Sequence, residues 1–322
     1  MINLLSDTVT RPTPGMLQAM MQAEVGDDVF GEDPTIRALE EKAAALFSQE
    51  AGLFCPSGTM TNQIAINVHC GRLEEVICHE YSHVYQYETG GYAANSGVAM
   101  QLLPGPGGKL LPEDVAAAVR PDFDWLPHSR LVVAENTCNK GGGSIYTLEE
   151  LGAIREVCLQ KGLRYHLDGA RIFNALVETG DASQEVGALF DSVSVCLSKG
   201  LGAPVGSVLL GSRDFIRQAR RVRKVMGGGM RQAGYLAAAG IYALDHHVER
   251  LREDNEHARI LGECLARQPY VAEVRPVQSN IVIFDLAGDR LAADFLEKLS
   301  AHGVKASAFG PQTVRMVTHL DV

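Results

Sequence analysis

Three short stretches carry residue types suited to chemistry, and each follows an apolar run. The first, Cys55-Pro-Ser-Gly-Thr-Met-Thr-Asn62, sets small residues at the start of a helical pattern over Asn62–His69. Free backbone N–H groups at a helix start, with the helix dipole behind them, suit an anion such as phosphate. Serine and threonine are also ordinary N-caps at such positions. The second is Asp168, which closes the run Arg164–Leu167 ahead of Gly169-Ala-Arg171; a carboxylate there can equally serve to cap the next helix. The third is Lys199 in VCLSKGLGAPVGS, 31 residues further on, a lone amine among residues too small to cover it. A solvated loop lysine is the plain alternative. The glycines around it do not form a dinucleotide-binding loop: the G-x-G-x-x-G spacing is absent, Pro204 interrupts, and another strand pattern follows instead of a helix.

One cofactor uses all three. Pyridoxal phosphate needs an anion cradle, a carboxylate that keeps its pyridine nitrogen protonated so that the ring draws electrons, and a lysine amine to take up its aldehyde. Ser57, Gly58 and Thr59, then Asp168, then Lys199 meet these needs in turn.

The elements that must position these residues alternate along the chain. Short β-rich runs lie at 52–55, 74–80, 100–104, 130–136, 164–170, 191–198 and 206–212, with helical spacing between them, as in Thr147–Lys161. Strand, helix, strand in succession predicts an α/β fold with a mostly parallel mixed sheet between helices, and in such sheets ligands collect at the carboxyl ends of the strands. From Asp245 to Arg267 the pattern reads as one long amphipathic connector helix. VAEVRPV, NIVIFDL, a helix over Leu291–His302, VKASAFG and TVRMVTH then read as a small α+β unit. The division is therefore 1–245, a large cofactor-binding domain with an N-terminal substrate segment, and 246–322, the connector and small domain. Thr318–Asp321 resembles the entry to a further helix, so a C-terminal helix is expected beyond it.

At 322 residues the chain exceeds the roughly 250–300 at which single cores stop growing, which agrees with two domains. The formal charge of −10 argues against nucleic acid or an anionic membrane as main partner. The seven cysteines include no C-x-x-C pair and sit mostly in apolar runs, as in a reducing cytoplasm. MINLLSDTVTRP lacks the basic-then-apolar pattern of a secretory signal. No apolar run reaches the roughly 18 residues of a membrane span. No metal site is expected.

The segments LLSDTVTRPT, GDDVFGEDP, PSGTMTN, HLDGARIFNA, SVSVCLSKGLGAPVGS, MGGGMRQAG and RMVTHLD together resemble the low-specificity L-threonine aldolases, which have the aspartate-aminotransferase fold of pyridoxal phosphate enzymes, fold type I. The resemblance runs from Ile2 to Asp321 and implies cleavage of β-hydroxy-α-amino acids to glycine and an aldehyde. It places the substrate carboxylate among Ser6, Arg171 and Arg315, and planar guanidinium forks suit that task. It puts His83 on the cofactor ring and His128 near the β-hydroxyl; either imidazole, or a water, is left as the base. Arg171 joins the cofactor-binding set. Lys224 and Arg231 are implied to reach the phosphate of a neighbouring subunit's cofactor, so a dimer with shared sites is expected, and a tetramer of two such dimers. Cys138, in ENTCN, stands where many members have histidine, so a role for that side chain does not carry over. A β-eliminating lyase or an amino-acid racemase would use the same lysine and aspartate, and a cofactor-binding protein without turnover is the alternative from another class.

Overall fold

The computed structural model describes residues 1–322. A short N-terminal strand, β1 (Ile2–Asn3), precedes the strands of the large sheet: β2 (Ala51–Cys55), β3 (Glu74–His79), β4 (Ala99–Leu103), β5 (His128–Glu135), β6 (Arg164–Gly169), β7 (Ser192–Cys196) and β8 (Ser207–Gly211). They lie in the order β2-β8-β7-β6-β5-β3-β4. β8 is antiparallel to both neighbours and every other pair is parallel, so the sheet is the mixed, mostly parallel one expected. Its central strands are mostly buried, β7 and β8 along their whole length, because helices cover both faces.

Local chemistry sets the helix ends. Asp33 caps Pro34–Leu46 by accepting the N–H groups of Thr35 and Ile36, with Pro34 at the position where a missing N–H does no harm. Thr147 and Glu150 form a capping box at the start of Leu148–Lys161, and Gly162 closes that helix at φ 69°, a left-handed conformation that glycine adopts without strain.

The connector departs from expectation. Asp245 and His246 end a separate helix, Gly234–His246, and after a turn the connector helix runs over Leu251–Ala266. His247 donates its backbone N–H to Ala243 and bonds Leu201 O through Nδ1 at 2.7 Å, which draws the chain off the first axis. Val248 and Leu251 keep helical spacing across the break, so periodicity alone does not reveal it.

Leu251–Ala266 lies against a four-stranded antiparallel sheet formed by β9 (Val271–Val274), β10 (Ile281–Leu286), β12 (Ser307–Ala308) and β13 (Thr313–Val317), in the order β12-β13-β10-β9. Between β10 and β12 come the helix Ala292–Ala301 and β11 (Val304–Lys305). β11 pairs in parallel with β1, and Val317 N–H bonds Leu4 O. The N-terminal segment is thus stitched to the small sheet before it crosses to the large one. Thr318–Val322 forms a turn after β13, with His257 Nδ1 3.0 Å from Val322 O.

Candidate active site

Four parallel strands deliver their carboxyl ends to one place, and β2 points the same way. Glu135 ends β5, Asp168 lies at the end of β6, Lys199 follows β7, His83 follows β3, and Ser57–Thr59 follow β2. Gly58, Thr59, Asn62, His83, Asp168 and Lys199 line one pocket of about 120 Å³. The register explains part of this: Glu135 is opposite Asp168, and Asp168 is opposite Ser194. Ser57 fills the capping role, accepting Met60 N–H at 3.2 Å through Oγ, and it does not line the pocket. Gly58 and Thr59 contribute the first N–H groups of the helix Gly58–His69, which have no acceptor within that helix. Lys199 forms no ion pair and no side-chain hydrogen bond, although it is half-buried.

Buried carboxylates hold the groups around it. Glu88 Oε1 accepts from His83 Nδ1 and from Asn62 Nδ2, each at 2.9 Å, and its other oxygen accepts from Gln63. Burial alone would lower the His83 pKa, but the hydrogen bond to Glu88 and the charges of Asp168, Glu88 and Glu135 outweigh it and raise it above the usual histidine value. Glu135 accepts the backbone N–H of His83 at 2.8 Å and of Asn139 at 2.9 Å. Burial, then the charge of Asp168, pushes its carboxyl up to about 7.

A second cluster gathers the guanidinium groups. Arg171 makes a bidentate pair with buried Asp7, both contacts at 2.7 Å, and Asn280 also donates to Asp7. Burial works against the Asp7 charge, but Arg171 prevails and holds its carboxyl down at about 2. Arg315 has no acidic partner at all. It donates to Asn139 Oδ1 at 3.1 Å and to Leu5 O at 3.3 Å, and its Nε is buried without an acceptor. Burial, then the charge of Arg171, lowers its pKa to about 10. Ser6 lies between, next to both Leu5 and Asp7, its Oγ accepting from Thr8 N–H. Ser6, Arg171 and Arg315 are therefore brought together, but one edge of the Arg171 fork is already committed to Asp7.

Other expected residues stand apart from this chain's own pocket. His128 is exposed at the amino end of β5, roughly 23 Å of strand from Glu135. Arg231 is an exposed side chain bonded to Asp27 Oδ2 at 2.9 Å, and Lys224 lies on the last turn of Arg213–Val225. Cys138 is buried with Sγ against Gly108 O, and burial, then the charge of Glu135, raises its thiol well above the usual range.

Sequence reading missed Glu88, Glu135, Asn62, Asp7 and Asn280 as parts of the site. Asn62 was visible as the end of the small-residue stretch, and Glu135 as the acid closing an apolar strand one position before Asn136. For Glu88 no local signal exists, because what makes it matter is its burial beside His83.

Known proteins resemble this chain in sequence and in fold. Residues 3–288 match the family described as beta-eliminating lyase. Over its full length the chain is 45% identical to the low specificity L-threonine aldolase of Escherichia coli strain K12, spanning 95% of that protein. It is 42% identical to low-specificity L-threonine aldolase 1 of Arabidopsis thaliana, spanning 92% of it. The structure of Leishmania major threonine aldolase superposes with a TM-score of 0.85 at 24% identity, covering 99% of this chain and 94% of that one, which speaks to the fold. The chain is thus a member of the beta-eliminating lyase family, among its low-specificity L-threonine aldolases.

Proposed function

We propose that this chain is a pyridoxal phosphate-dependent aldolase that cleaves the Cα–Cβ bond of L-threonine, L-allo-threonine and related β-hydroxy-α-amino acids to glycine and an aldehyde. The observation that carries the reading is the meeting of an unpaired Lys199, a buried Asp168 and the free helix start at Gly58 and Thr59 on one pocket. The residues fit the cofactor: Asp168 accepts only one side-chain hydrogen bond within the chain, from Asn62, and Lys199 has nothing else to hold. When bound, the cofactor supplies a sink for the electron pair left on Cα as the Cα–Cβ bond breaks.

The chain's own groups do the rest. Arg315, a half-buried cation without an acid, supports a substrate carboxylate site beside Ser6, with Arg171 adding charge from behind. Fixing that carboxylate decides which Cα bond is cleaved. His83 is the group we assign to take the β-hydroxyl proton, since it lines the pocket with Nδ1 held by Glu88, and that carboxylate favours the imidazolium that results. His128 could join only from another subunit.

A homo-oligomer belongs to the same reading. Lys224 and Arg231 lie outside the pocket, and the nearby Phe30 and Val225 are exposed apolar side chains. This supports a dimer in which the two cations reach a neighbour's cofactor phosphate, with a tetramer of two such dimers. No helix is long and apolar enough to cross a membrane. The buried thiols at six of the seven cysteines support a cytoplasmic setting.

The test is product analysis with purified protein and added pyridoxal phosphate. Equimolar glycine and acetaldehyde from L-threonine or L-allo-threonine is expected. 2-Oxobutyrate and ammonia, or a D-enantiomer, would replace the aldolase by the lyase or racemase reading, and cofactor uptake without any product would replace it by a binding role.

A further inference from the structure

The face of the large sheet beneath the helix Gly58–His69 is polar where an apolar contact would be ordinary. Asn62, His166 and Ser192 are each at most 1% exposed there, and they are linked end to end. Asn62 Nδ2 is 2.9 Å from both Asp168 Oδ2 and Glu88 Oε1. Asn62 Oδ1 is 3.2 Å from His166 Nε2. His166 Nδ1 is 2.7 Å from Ser192 Oγ, which is 2.7 Å from His69 Nε2. His69 stacks on Phe215 and lines a cleft at the amino ends of the strands, so the string crosses the sheet from one end to the other. The placement follows from strand and helix periods. His166 and Asp168 are two apart on β6 and share a face, Ser192 is opposite His166, and Asn62 and His69 are seven apart, two turns along one side of the helix.

Donor and acceptor chemistry leaves one direction for this string. Asn62 faces two carboxylates with one atom, so that atom is the NH₂, and both its hydrogens are spent on them. Its Oδ1 must then accept, so His166 carries a hydrogen on Nε2; the ring is wholly buried, burial lowers its pKa to about 3, and it is therefore the neutral Nε2–H imidazole. His166 Nδ1 accepts from the Ser192 hydroxyl, and Ser192 Oγ accepts from His69 Nε2–H. Every hydrogen bond points toward Asp168 and Glu88. Such a chain of aligned donors strengthens its last members in a low-dielectric interior.

We infer that His166 is a positioning residue for the active site: by donating from Nε2 it fixes the orientation of the Asn62 amide, and so aims one N–H at Asp168 and the other at Glu88, which in turn holds His83. The two carboxylates favour this orientation from one side; His166 secures it from the other as the only partner of Asn62 Oδ1, and without that donor the oxygen is left buried and unpaired. The function of this arrangement rests on the aldolase reading, since Asp168 and His83 are the groups it steadies, but the hydrogen-bond order itself does not.

Two experiments test it. In the cofactor-free protein at neutral pH, ¹⁵N NMR of the imidazole nitrogens is expected to show His166 neutral with its hydrogen on Nε2; a hydrogen on Nδ1, or a charged ring, would overturn the inference whatever the protein catalyses. In the cofactor-loaded protein, His166→Leu is compared with His166→Gln, whose amide restores a donor near Nε2. His166→Leu is expected to weaken pyridoxal phosphate binding about tenfold and lower kcat about tenfold with KM within threefold, and His166→Gln to stay within threefold of the parent in all three. Equal behaviour of the two variants, whether both intact or both impaired, would mean that the string only satisfies buried groups. A parent protein that takes up no pyridoxal phosphate would remove the aldolase reading and leave the NMR result to decide the hydrogen-bond order.

Discussion

The large sheet carries a cleft at each end of its strands, and the two differ in how their charges are met. The cleft at the amino ends is the roomier, about 580 Å³ against about 120 Å³. Its charges are largely answered inside the chain: Asp191 holds both Arg155, at 2.8 Å, and Arg164, at 3.0 Å, and accepts Tyr165 N–H. Burial opposes the Asp191 charge, yet these donors keep its carboxyl below the usual range. At the carboxyl ends Lys199 and Arg315 have no acid, and Asp168 has no cation in hydrogen-bond contact. A cleft whose charges cancel has little left to offer a ligand; one that holds buried, unanswered charge is built around something the chain does not supply. Room is the poorer guide.

The sharpest break in this contrast is Lys199→Ala. It is expected to lower turnover by more than roughly a thousandfold, since no second amine lines the pocket. The visible absorbance of lysine-bound cofactor should vanish while the thermal melt stays within a few degrees. Turnover within tenfold of the parent, with the absorbance intact, would refute the assignment.

Next in size is Arg315→Lys, which keeps the charge and removes the planar fork. A charge-assisted hydrogen bond to a carboxylate contributes roughly 1.5–3 kcal/mol, so KM for L-threonine should rise about ten- to a hundredfold, with a smaller change in kcat. Glycine binding measured by titration should weaken in parallel. If it does not, the carboxylate is held elsewhere.

Asp7 sharpens the comparison through pH. Its folded pKa of about 2 lies below the ordinary aspartate value of 3.8 that the unfolded chain would show, so its stabilisation is fully present above about pH 4 and is lost as pH falls toward 2. The shift corresponds to roughly 2 kcal/mol for this fully buried group. Asp7→Asn should be less stable than the parent at pH 6, and the gap in denaturant midpoint should close as pH falls through that window. A gap that stays constant with pH would mean that the pair's charge contributes nothing.

The smallest effects belong to the far end of the sheet. Arg164→Ala removes a half-exposed partner while Asp191 keeps Arg155, so about 0.5 kcal/mol of stability and no change in kcat are expected. His128→Phe should change kcat/KM for either threonine diastereomer by less than twofold. A severalfold change in their ratio would instead show that a neighbouring subunit brings His128 to the substrate.

Much of this was legible in the order of residue types. Seven apolar runs became the seven strands of the large sheet, and Asp168, Lys199 and the Gly58–Thr59 turn stood where strand ends require them, because strand period and helix start are local properties written in neighbouring residues. Even the shared face of His166 and Asp168 follows from their spacing. What only the tertiary structure decided is which groups meet across distance. Asp7 meets Arg171 across 164 positions, and Arg315 meets Leu5 across 310. Glu88 becomes the anchor of His83 only once both are buried beside Asn62. His128 carries a side chain as suitable as His83, yet a strand of eight residues separates it from the carboxyl edge. The reason is physical: a side chain's type sets what it can do, but its desolvation and its partners set its charge and direction, and those come into being only when distant segments exclude water together.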